Sequence, residues 1–450
     1  MKKSLAMLLI ISTLCLTSCN NAPAETSNFT NQTEDTSMFQ TDEHNQTLQT
    51  NYMTDSTTNK IEETIEVNGY IVPEKLRDKI IFSQMGTFLD FSSRIVFAQS
   101  GKDELIGNTY QNSGNGNILV YYSKADGETY VNCFDPLCDH KDCAVTKFGI
   151  DARYCTTYNN RFYHFDKLVG AIYSFSFDGS DVKKEYQMFE QVINGTSPFK
   201  KLNSYDCYWF IAYVHEDGSL HCLRFNMATG EIVDLTEQTG NYLAPAFFYN
   251  GEMYGTIDDG TIKKADLSLT KIEDTDIVFK DNFLFTQTIG NQFFGYIKEW
   301  TEDEFGNQKL IYKGIYTYNI ETGEETFISS ETIGKNVVYP LYADENYVYF
   351  TSDDEPTYIG KNRYQRDVYN KGKIWRINRD GTNCICVFDN PNINIYDNYP
   401  LMIYQNKIFI YASEVGMAGG IAQSWNEGMY IGTIQADGTI DKLEYIEVIE

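Results

Sequence analysis

Short stretches of alternating or aromatic residues recur along this 450-residue chain at intervals of about 50 residues, beginning near residue 85. Each stretch ends at a residue pair typical of a tight hairpin turn, and a further strand-forming stretch follows. The seven turns are Asp126-Gly127, Asp178-Gly179, Thr229-Gly230, Leu267-Ser268, Thr322-Gly323, Asp380-Gly381 and Asp437-Gly438. The strands before them include Ile118–Tyr122, Ala171–Phe175 and Lys373–Ile377. This pattern predicts β-hairpins along most of the chain.

A second hairpin precedes the first in most of these units. Its turns are Asn159-Asn160, Asn250-Gly251, Gly290-Asn291, Glu345-Asn346 and Gln405-Asn406. Aromatic strands such as Tyr347–Phe350 and Lys407–Tyr411 leave these turns. Two antiparallel hairpins in a unit of this size are typical of one blade of a β-propeller, which is a ring of four-stranded sheets. We therefore predict an all-β, seven-bladed propeller, with six or eight blades as alternatives because the fourth unit is irregular.

One unit resembles the propeller repeat of low-density-lipoprotein-receptor (YWTD-like) type. It consists of Lys373-Ile-Trp-Arg-Ile-Asn-Arg-Asp380-Gly381, preceded by Tyr347-Val-Tyr-Phe-Thr-Ser-Asp353. In that repeat an aromatic-Thr-Asp strand precedes an Ile-x-Arg strand and an Asp-Gly turn. Residues 85–450 are also similar to a related propeller domain of unknown function in lipoproteins of Gram-positive anaerobes. The resemblance implies a fold and a surface location but no activity. The receptor-type repeat usually forms six blades, whereas seven units are visible here.

The N-terminus has the parts of a bacterial lipoprotein signal peptide. Two lysines precede the apolar run Leu5–Leu16, which is too short for a permanent transmembrane helix. The run ends at Leu16-Thr-Ser-Cys19, which resembles the lipobox of bacterial lipoproteins. We expect residues 1–18 to be removed and Cys19 to carry the lipid, although an ordinary signal peptide cut elsewhere is the alternative. Acyl chains contribute about 0.8 kcal/mol per buried methylene, so two or three of them hold a protein on a membrane.

A polar segment separates this anchor from the repeats. From Asn20 to about Asn59 the chain contains no Lys or Arg and few apolar residues, so it cannot bury enough surface to offset its ordering entropy. We interpret residues 19–60 as the lipidated cysteine and a flexible tether, and residues 61–450 as the propeller domain. A polar subdomain is the alternative for the tether. The expected location is the extracytoplasmic side of the cell membrane, in a Gram-positive bacterium.

Charge narrows the range of partners. The chain has 36 basic and 63 acidic residues and a net charge of −27, which becomes −29 when the two lysines of the signal peptide are removed (−27 − 2). Such a field repels nucleic acid and anionic lipid headgroups. Nucleic acid is therefore not an expected partner, and contact with the membrane is expected through the N-terminal lipid.

Eight of the ten cysteines lie in the propeller region. The densest group, with Cys155 nearby, consists of Cys133, Cys138, His140 and Cys143. Thiolates and a neutral imidazole suit zinc, so these four residues are candidate ligands of a structural zinc ion. An even number of cysteines in an exported protein also suggests disulfides. Disulfides involving Cys155, a zinc site and free thiols are the alternatives.

The sequence contains none of the common catalytic motifs. It has no Gly-x-Ser-x-Gly elbow, no phosphate-binding Gly-x-x-x-x-Gly-Lys loop and no His-Glu-x-x-His pair. Outside the cysteine group and the tether, the histidines are His164, His215 and His221, which lie on or beside predicted strands and are interpreted as structural. No catalytic residue is predicted.

Interruptions of the repeat indicate a candidate binding face. In a four-stranded blade the loops between the second and third strands emerge on one face of the ring. These loops are short in units two to four and long in the other four units, which form one arc when the ring closes. The long insertions are Gln99 to Asn117, Glu299 to Leu310, Ser352 to Gly372 and Ser413 to Gly428. Loops of this length in a compact fold usually carry function.

The last two insertions contain a basic and aromatic patch. The candidate ligand-binding residues are Tyr358, Lys361, Arg363, Tyr364, Arg366, Tyr369 and Trp425. Tyr, Arg and Trp are the residue types that most often anchor interfaces. The favoured function is a non-enzymatic binding module for a glycan, peptide or surface protein. The alternative is an extracytoplasmic hydrolase or lyase with an acidic site at the propeller channel.

The lipobox generates the first prediction. Cys19→Ala removes the sulfur that would receive the lipid, so we expect the protein to leave the membrane fraction or to accumulate as uncleaved precursor. Membrane fractionation and mass spectrometry of the N-terminus measure this. Cys15→Ala, within the apolar run, is the matched control and should leave the anchoring unchanged. Normal fractionation of the Cys19 variant, with cleavage still before residue 19, would contradict the lipobox interpretation.

Overall fold

The computed structural model describes residues 64–447 with gaps at 68–69, 74–75, 77, 82–87, 91–92, 101–116, 134–137, 139–153, 167–169, 178, 189–198, 216, 258–260, 303–307, 336–338, 353, 355 and 397–400. All of the described residues belong to one compact unit, Glu63–Glu450. The predicted signal peptide, Cys19 and tether lie outside the described residues. The first elements are two paired strands, β1 (Thr64–Val67) and β2 (Tyr70–Pro73).

Seven antiparallel sheets follow in the described residues, one for each predicted repeat, and six of them have four strands while the last has five. Blade 1 has β3 (Phe88–Asp90), β4 (Arg94–Ser100), β5 (Asn117–Ser123) and β6 (Thr129–Val131). Blade 2 has β7 (Cys155–Tyr158), β8 (Arg161–Asp166), β9 (Ala171–Ser176) and β10 (Lys183–Gln187). Blade 3 has β11 (Phe199–Tyr205), β12 (Tyr208–Val214), β13 (Leu220–Asn226) and β14 (Ile232–Asp234). The short helix α1 (Leu235–Thr239) leads into blade 4.

The remaining blades are built in the same order. Blade 4 has β15 (Ala244–Tyr249), β16 (Glu252–Thr256), β17 (Ile262–Ala265) and β18 (Ile272–Asp274). Blade 5 has β19 (Phe283–Ile289), β20 (Gln292–Glu302), β21 (Gln308–Asn319) and β22 (Glu325–Ser329), followed by α2 (Ser330–Ile333). Blade 6 has β23 (Tyr339–Ala343), β24 (Tyr347–Thr351), β27 (Lys373–Asn378) and β28 (Ile385–Asp389). Between β24 and β27 lies a separate hairpin of β25 (Thr357–Lys361) and β26 (Asp367–Asn370).

Blade 7 completes the set. Its first position is shared by β29 (Ile393–Ile395) and β30 (Met402–Tyr404), which both pair with β31 (Lys407–Ala418). The outer strands are β32 (Ile421–Ile434) and β33 (Ile440–Tyr445). The predicted seven-bladed propeller is therefore confirmed.

The predicted turns fall where the repeat requires them. Asp437-Gly438 joins the third and fourth strands of blade 7, and Gln405-Asn406 joins β30 to β31. Gly438 has φ +83°, a backbone conformation that residues with a Cβ rarely adopt. The glycines by which the repeat was recognised therefore also allow the chain to turn.

Buried amides tie the first strands of neighbouring blades together. The first strands of blades 3 to 6 each carry a β-bulge, as at Phe285/Gln287 in β19, and a bulge leaves backbone groups unpaired within its own sheet. In β19 the Gln287 side chain donates to the Ala343 carbonyl at 2.5 Å and accepts from the Ala343 N–H at 2.9 Å. In the same way Asn203 of β11 donates to the Pro245 carbonyl of β15. These contacts place the first strands side by side at the centre of the ring.

The hydrophobic core is distributed between blades. Each cluster of buried side chains joins neighbouring blades, and consecutive residues on one strand serve opposite sides. Phe247 packs against blade 5, whereas the adjacent Phe248 packs against blade 3. Because both faces of a blade are buried, its strands carry runs of aromatic residues instead of a strict apolar and polar alternation.

The ring closes by side-chain packing between blades 7 and 1. Each of these two blades is built from one end of the propeller domain, and no strand is exchanged between their described strands. Phe409 of β31 is fully buried, and its ring centroid lies 5.1 Å from that of Tyr122 and 6.3 Å from that of Phe97. The same cluster continues to Phe162 and Phe175 of blade 2.

The segment before blade 1 crosses to the opposite side of the ring. Ile81 forms an antiparallel bridge with Phe248 at the free edge of β15, with both hydrogen bonds at 2.8 Å. Ile80 is buried between blades 4 and 5, and its N–H donates to the Gly290 carbonyl. These contacts bring the chain to the ends of blades 4 and 5 that carry the turns between first and second strands.

Ring closure generates the second prediction. Phe409→Ala should destabilise the protein by about 3–5 kcal/mol, because it removes a fully buried ring from a junction that no shared strand supports. The denaturant midpoint measures the loss. Val278→Ala, at a position that is 74% exposed, is the control and should change stability by less than about 0.5 kcal/mol. A loss of under about 1 kcal/mol for Phe409→Ala would show that the junction does not limit stability.

Candidate ligand-binding surface

Three of the predicted insertions are regular hairpins. In blade 5, β20 and β21 stay paired outward to Glu302 and Gln308, and in blade 7, β31 and β32 stay paired to Ala418 and Ile421. In blade 6 the insertion is the β25–β26 hairpin. The predicted long connections in these blades are present, but they consist of strands where the sequence analysis expected loops. Of the insertion in blade 1, residues 101–116 lie outside the described residues.

The β25–β26 hairpin, residues 357–370, presents a pair of exposed tyrosines and is called the tyrosine hairpin below. Tyr358 and Tyr369 face each other across the two strands, with ring centroids 5.5 Å apart. They are 52% and 54% exposed, so each ring offers much of its surface to solvent. The Tyr358 hydroxyl lies 3.4 Å from the Asp367 carboxylate, and desolvation together with this negative charge raises the pKa of Tyr358.

The tip of this hairpin is shaped by one asparagine. The Asn362 side-chain oxygen accepts from the N–H groups of Tyr364 at 2.9 Å and Arg366 at 3.1 Å. This turn holds the guanidinium of Arg363 over the Tyr364 ring, with 4.7 Å to the centroid. Tyr364 is the most exposed of the three tyrosines at 65%. The tip therefore combines an accessible ring with fixed positive charge.

The outer part of β31 and β32, residues 413–428, carries Trp425 and is called the tryptophan hairpin. Trp425 pairs across the strands with Glu414, and its indole N–H donates to the Glu414 carboxylate. The ring lies over Gly416, where an added Cβ would be 2.9 Å from the indole. The indole is held in place by these neighbours and remains 40% exposed.

The tyrosine and tryptophan hairpins pack against each other. β25 lies alongside both β31 and β32. The contact centres on Gly360, which has φ +153° and where an added Cβ would lie 2.4 Å from the sulfur of Met417. At the base of the tyrosine hairpin the Asn370 amide donates to the Pro391 carbonyl, next to blade 7. The two hairpins therefore form one continuous surface.

Contacts among Lys371, Tyr339 and Tyr312 connect this surface to blade 5. Tyr312 of β21 lies with its ring centroid 4.0 Å from that of Tyr339 in β23. The ammonium of Lys371, just after the tyrosine hairpin, lies 4.8 Å from the centroid of the Tyr339 ring. Trp300, on the extended part of β20, is 50% exposed.

The tyrosine hairpin and the adjoining Lys371 carry a net positive charge, in contrast to the negative net charge of the chain. Residues 357–371 contain four basic residues and one acidic residue, a net charge of +3 (4 − 1), in a chain of net charge −27. The basic residues are Lys361, Arg363, Arg366 and Lys371. Asp367 is the acidic one, and the Lys361 ammonium is 4.0 Å from it. Arg363 and Arg366 are exposed near the tip, where they can face an external anion.

All seven predicted ligand-binding residues are exposed on these two hairpins. Tyr358, Lys361, Arg363, Tyr364, Arg366 and Tyr369 lie on the tyrosine hairpin, and Trp425 lies on the adjoining one. Their role in binding stays a prediction. The sequence analysis did not single out Met417, which is 52% exposed beside Gly360, or Trp300. Both lie in predicted insertions, and their position as large apolar residues within an insertion could have identified them as candidates.

The cysteine group is described only in part. Cys133 and Cys138 are half-buried, and Cys133 packs with Cys155 against the cluster that joins blades 1, 2 and 7. His140 and Cys143 lie outside the described residues, so the choice among disulfides, zinc and free thiols stays a prediction. The sulfur of Cys155 lies 3.3 Å from His164 Nδ1.

Comparisons with known proteins concern the fold. No family model matches the chain, and no curated protein matches it. The β-propeller domain of the Trilobed protease from Pyrococcus furiosus is 11% identical, with a TM-score of 0.41 over 82% of this chain and 99% of that one. A chain of the nidogen/laminin complex is 10% identical, with a TM-score of 0.30 over 63% of this chain and 92% of that one. The Niastella koreensis GH74 enzyme is 9% identical, with a TM-score of 0.40 over 80% of this chain and 54% of that one.

No activity is carried over from these structures. Separately, none of the helices in the described part of the chain is long and apolar enough to cross a membrane.

The contact at Gly360 generates the third prediction. Gly360→Ala should loosen the tyrosine hairpin by about 1–3 kcal/mol, because the new Cβ would adopt a strained φ and meet Met417. Hydrogen exchange of residues 357–370 measures the loosening, while the global denaturant midpoint should change little. Gly419→Ala, at a position with φ +59° and open space around it, is the control and should leave that exchange unchanged. Unaltered protection in the Gly360 variant would show that the two hairpins do not depend on this contact.

Proposed function

We propose that this protein is a lipid-anchored, extracytoplasmic binding module that engages its partner through the tyrosine and tryptophan hairpins. The observation that carries the proposal is that Tyr358, Tyr364, Tyr369, Met417 and Trp425 are all exposed on two hairpins that pack against each other. A soluble protein seldom leaves large apolar side chains grouped together without a partner for them.

The residue types favour a peptide or protein partner, with a glycan as the other ligand class. Interface cores are enriched in Tyr, Trp, Met and Arg, and the two hairpins supply all four. Tyr and Trp rings lose little conformational entropy on binding, since each has only two rotatable side-chain bonds. The Trp425 ring is already held by Glu414 and Gly416, which lowers that entropic cost further.

Charge favours a partner with acidic groups. The net charge of +3 on residues 357–371 lies within a chain of net charge −27, so an acidic ligand would be repelled by most of the protein and attracted to the tyrosine hairpin and the adjoining Lys371. Complementary charge of this kind mainly sets orientation and association rate. Arg363 and Arg366 can also pair with carboxylates in a bidentate manner.

The N-terminal sequence supports display of this surface away from the cell. A lipid on Cys19 and a polar tether over residues 19–60 would hold the propeller near the membrane and still let it rotate and search. Binding at the hairpins would then need no transmembrane segment and no catalysis.

The fourth prediction tests the surface with defined probes. Purified protein is applied to an array of acidic, neutral and basic peptides together with neutral and anionic glycans, and the strongest signal is expected on the acidic peptides. The double variant Tyr358→Ala, Tyr369→Ala should weaken that signal by about tenfold or more, because residues that anchor an interface each contribute more than about 1 kcal/mol. The triple variant Lys361→Glu, Arg363→Glu, Arg366→Glu should abolish the preference for acidic peptides.

Tyr186→Ala is the matched control, since Tyr186 is 37% exposed on the outer strand of blade 2. It should bind as the unaltered protein does. Thermal midpoints of all variants should agree closely because the altered side chains are exposed. Unchanged binding in both hairpin variants would place the site elsewhere, and a signal confined to neutral glycans would overturn the preference for acidic partners.

A further inference from the structure

The hairpin between the second and third strands of blade 3 brings two histidines and an aspartate together. His215, Asp217 and His221 each have a nitrogen or carboxylate oxygen within 4.8 Å of the others. The two imidazole rings stack with centroids 4.8 Å apart at an angle of 24°. His215 Nδ1 lies 3.3 Å from Asp217 Oδ1. The group lies at an edge of the ring that is separate in sequence and in blade from the tyrosine and tryptophan hairpins.

His221 is held from behind by a carboxylate. Its Nδ1 is 2.8 Å from Asp234 Oδ2, and the same oxygen accepts from the Tyr213 hydroxyl at 2.6 Å. Asp234 Oδ1 accepts from the Glu237 N–H at 3.0 Å. His221 is buried, with Nε2 directed toward the exposed turn at Ser219. A histidine that donates one nitrogen to a fixed carboxylate and presents the other is the arrangement of a metal-binding imidazole.

In the described part of the chain, the same hydrogen-bonded turn occurs at two further places without the histidines. In Asp217-Gly-Ser219, Asp380-Gly-Thr382 and Asp437-Gly-Thr439, the aspartate Oδ1 accepts from both the backbone N–H and the hydroxyl of the third residue. The residues two before and four after the aspartate are Asn378 and Cys384 in the second turn, and Gln435 and Asp441 in the third. The hydrogen bond between Asp217 and Ser219 is therefore a feature of the turn, and the histidines are the addition specific to blade 3.

A serine nucleophile is the competing interpretation. Ser219 Oγ is 2.9 Å from His221 Nε2, so Ser219, His221 and Asp234 share the connectivity of a Ser-His-Asp triad. However, Asp217 Oδ1 lies 2.5 Å from Ser219 Oγ. A carboxylate at this distance opposes the negative charge that an alkoxide or oxyanion would develop. The same charge favours a cation.

We propose that His215, Asp217 and His221 bind a divalent first-row metal ion of the Zn²⁺ class. Two imidazoles and one carboxylate are a ligand set known for zinc sites that keep a fourth position open for water or substrate. Adjacent ligand atoms around tetrahedral zinc are about 3.4 Å apart, given bonds of about 2.0–2.1 Å. The ligand atoms, which lie within 4.8 Å of one another, therefore need to approach by up to about 1.4 Å (4.8 − 3.4). The side chains of His215 and Asp217 are 39% and 68% exposed, so small rotations of these side chains can supply that approach.

The carboxylate can bind without loss of the turn. The contacts described for the Asp217 carboxylate are all made at Oδ1. They are to His215 Nδ1, the Ser219 N–H and the Ser219 hydroxyl. The Oδ2 atom can therefore serve the ion. Asp234 stays in the role of orienting His221, and its own contacts to Tyr213 and Glu237 fix that orientation.

The fifth prediction tests this site with Zn²⁺ alone. Calorimetric titration of metal-free protein should show one equivalent of Zn²⁺ that the His215→Ala variant lacks. His215 is half exposed, so this variant should keep the circular dichroism spectrum and thermal midpoint of the metal-free protein. Asp234→Asn should weaken the same equivalent by about 10- to 100-fold, as expected for the loss of a residue that orients a metal ligand. Added Zn²⁺ should raise the thermal midpoint of the unaltered protein by more than that of His215→Ala, because the variant lacks this site.

Two comparisons keep the result specific. Asp380→Asn changes the same turn where no histidine is present, and it should bind Zn²⁺ as the unaltered protein does. Zinc held by the Cys133 group would be retained in the His215 variant, so only the difference between the two titrations bears on this site. Identical titrations for the unaltered protein and His215→Ala would overturn the proposal, whatever the peptide array shows.

Discussion

The structure depends on the burial of both faces of every blade against its neighbours. A four-stranded sheet of this size cannot bury its two apolar faces alone, so each blade is stable only between two others. The clusters of buried side chains accordingly lie between blades, and consecutive residues such as Phe247 and Phe248 serve opposite junctions. Because the described strands of blades 1 and 7 share no sheet, the ring is completed there by side-chain packing in the cluster that includes Phe409.

This constraint leaves the ends of the strands as the place for functional variation. Strand interiors are committed to the junctions, whereas the connections between second and third strands can lengthen or change chemistry without disturbing them. Blades 5, 6 and 7 use this freedom to extend paired strands outward, which satisfies the backbone hydrogen bonds of the insertions. Regular hairpins of this kind hold exposed rings such as Tyr358 and Trp425 in fixed positions, as irregular loops would not.

In blade 3 the connection between second and third strands differs in its side chains and not in its length. It stays short, and the hydrogen bonds of its turn recur in the turns at Asp380 and Asp437. One histidine before the aspartate and one after it add imidazole groups, and these hydrogen bonds are kept. The extended hairpins and the histidine turn lie on the same face of the ring, because connections of this class emerge together. A partner bound at the hairpins and an ion bound at blade 3 would therefore face the same side of the molecule.

The sequence by itself predicted the strands of the repeat, their turns and, as the favoured number, seven blades, because these follow from local chemistry. It did not predict the strands of the insertions. Glycine, aspartate and asparagine at the turns impose a conformation within a few residues, and repetition made the pattern countable. It also located the insertions and their exposed aromatic and basic residues. Only the tertiary structure decided that the tyrosine and tryptophan hairpins touch at Gly360 and Met417, which are 57 residues apart in sequence (417 − 360).

The grouping of His215 and His221 with Asp234 likewise could not be predicted from the sequence, although these residues lie close together along the chain. His215 and His221 were interpreted separately as structural residues, and the spacing of six residues carries no signal for a helix or a known metal motif. Cross-strand register places His221 opposite Tyr213, so that His215, two residues further along the chain and just beyond the end of β12, falls on the same side of the hairpin. The third member of the network, Asp234, comes from a different strand and is positioned by the pairing of β13 with β14. Such groupings depend on register and on packing between strands, which composition and spacing along one chain do not specify.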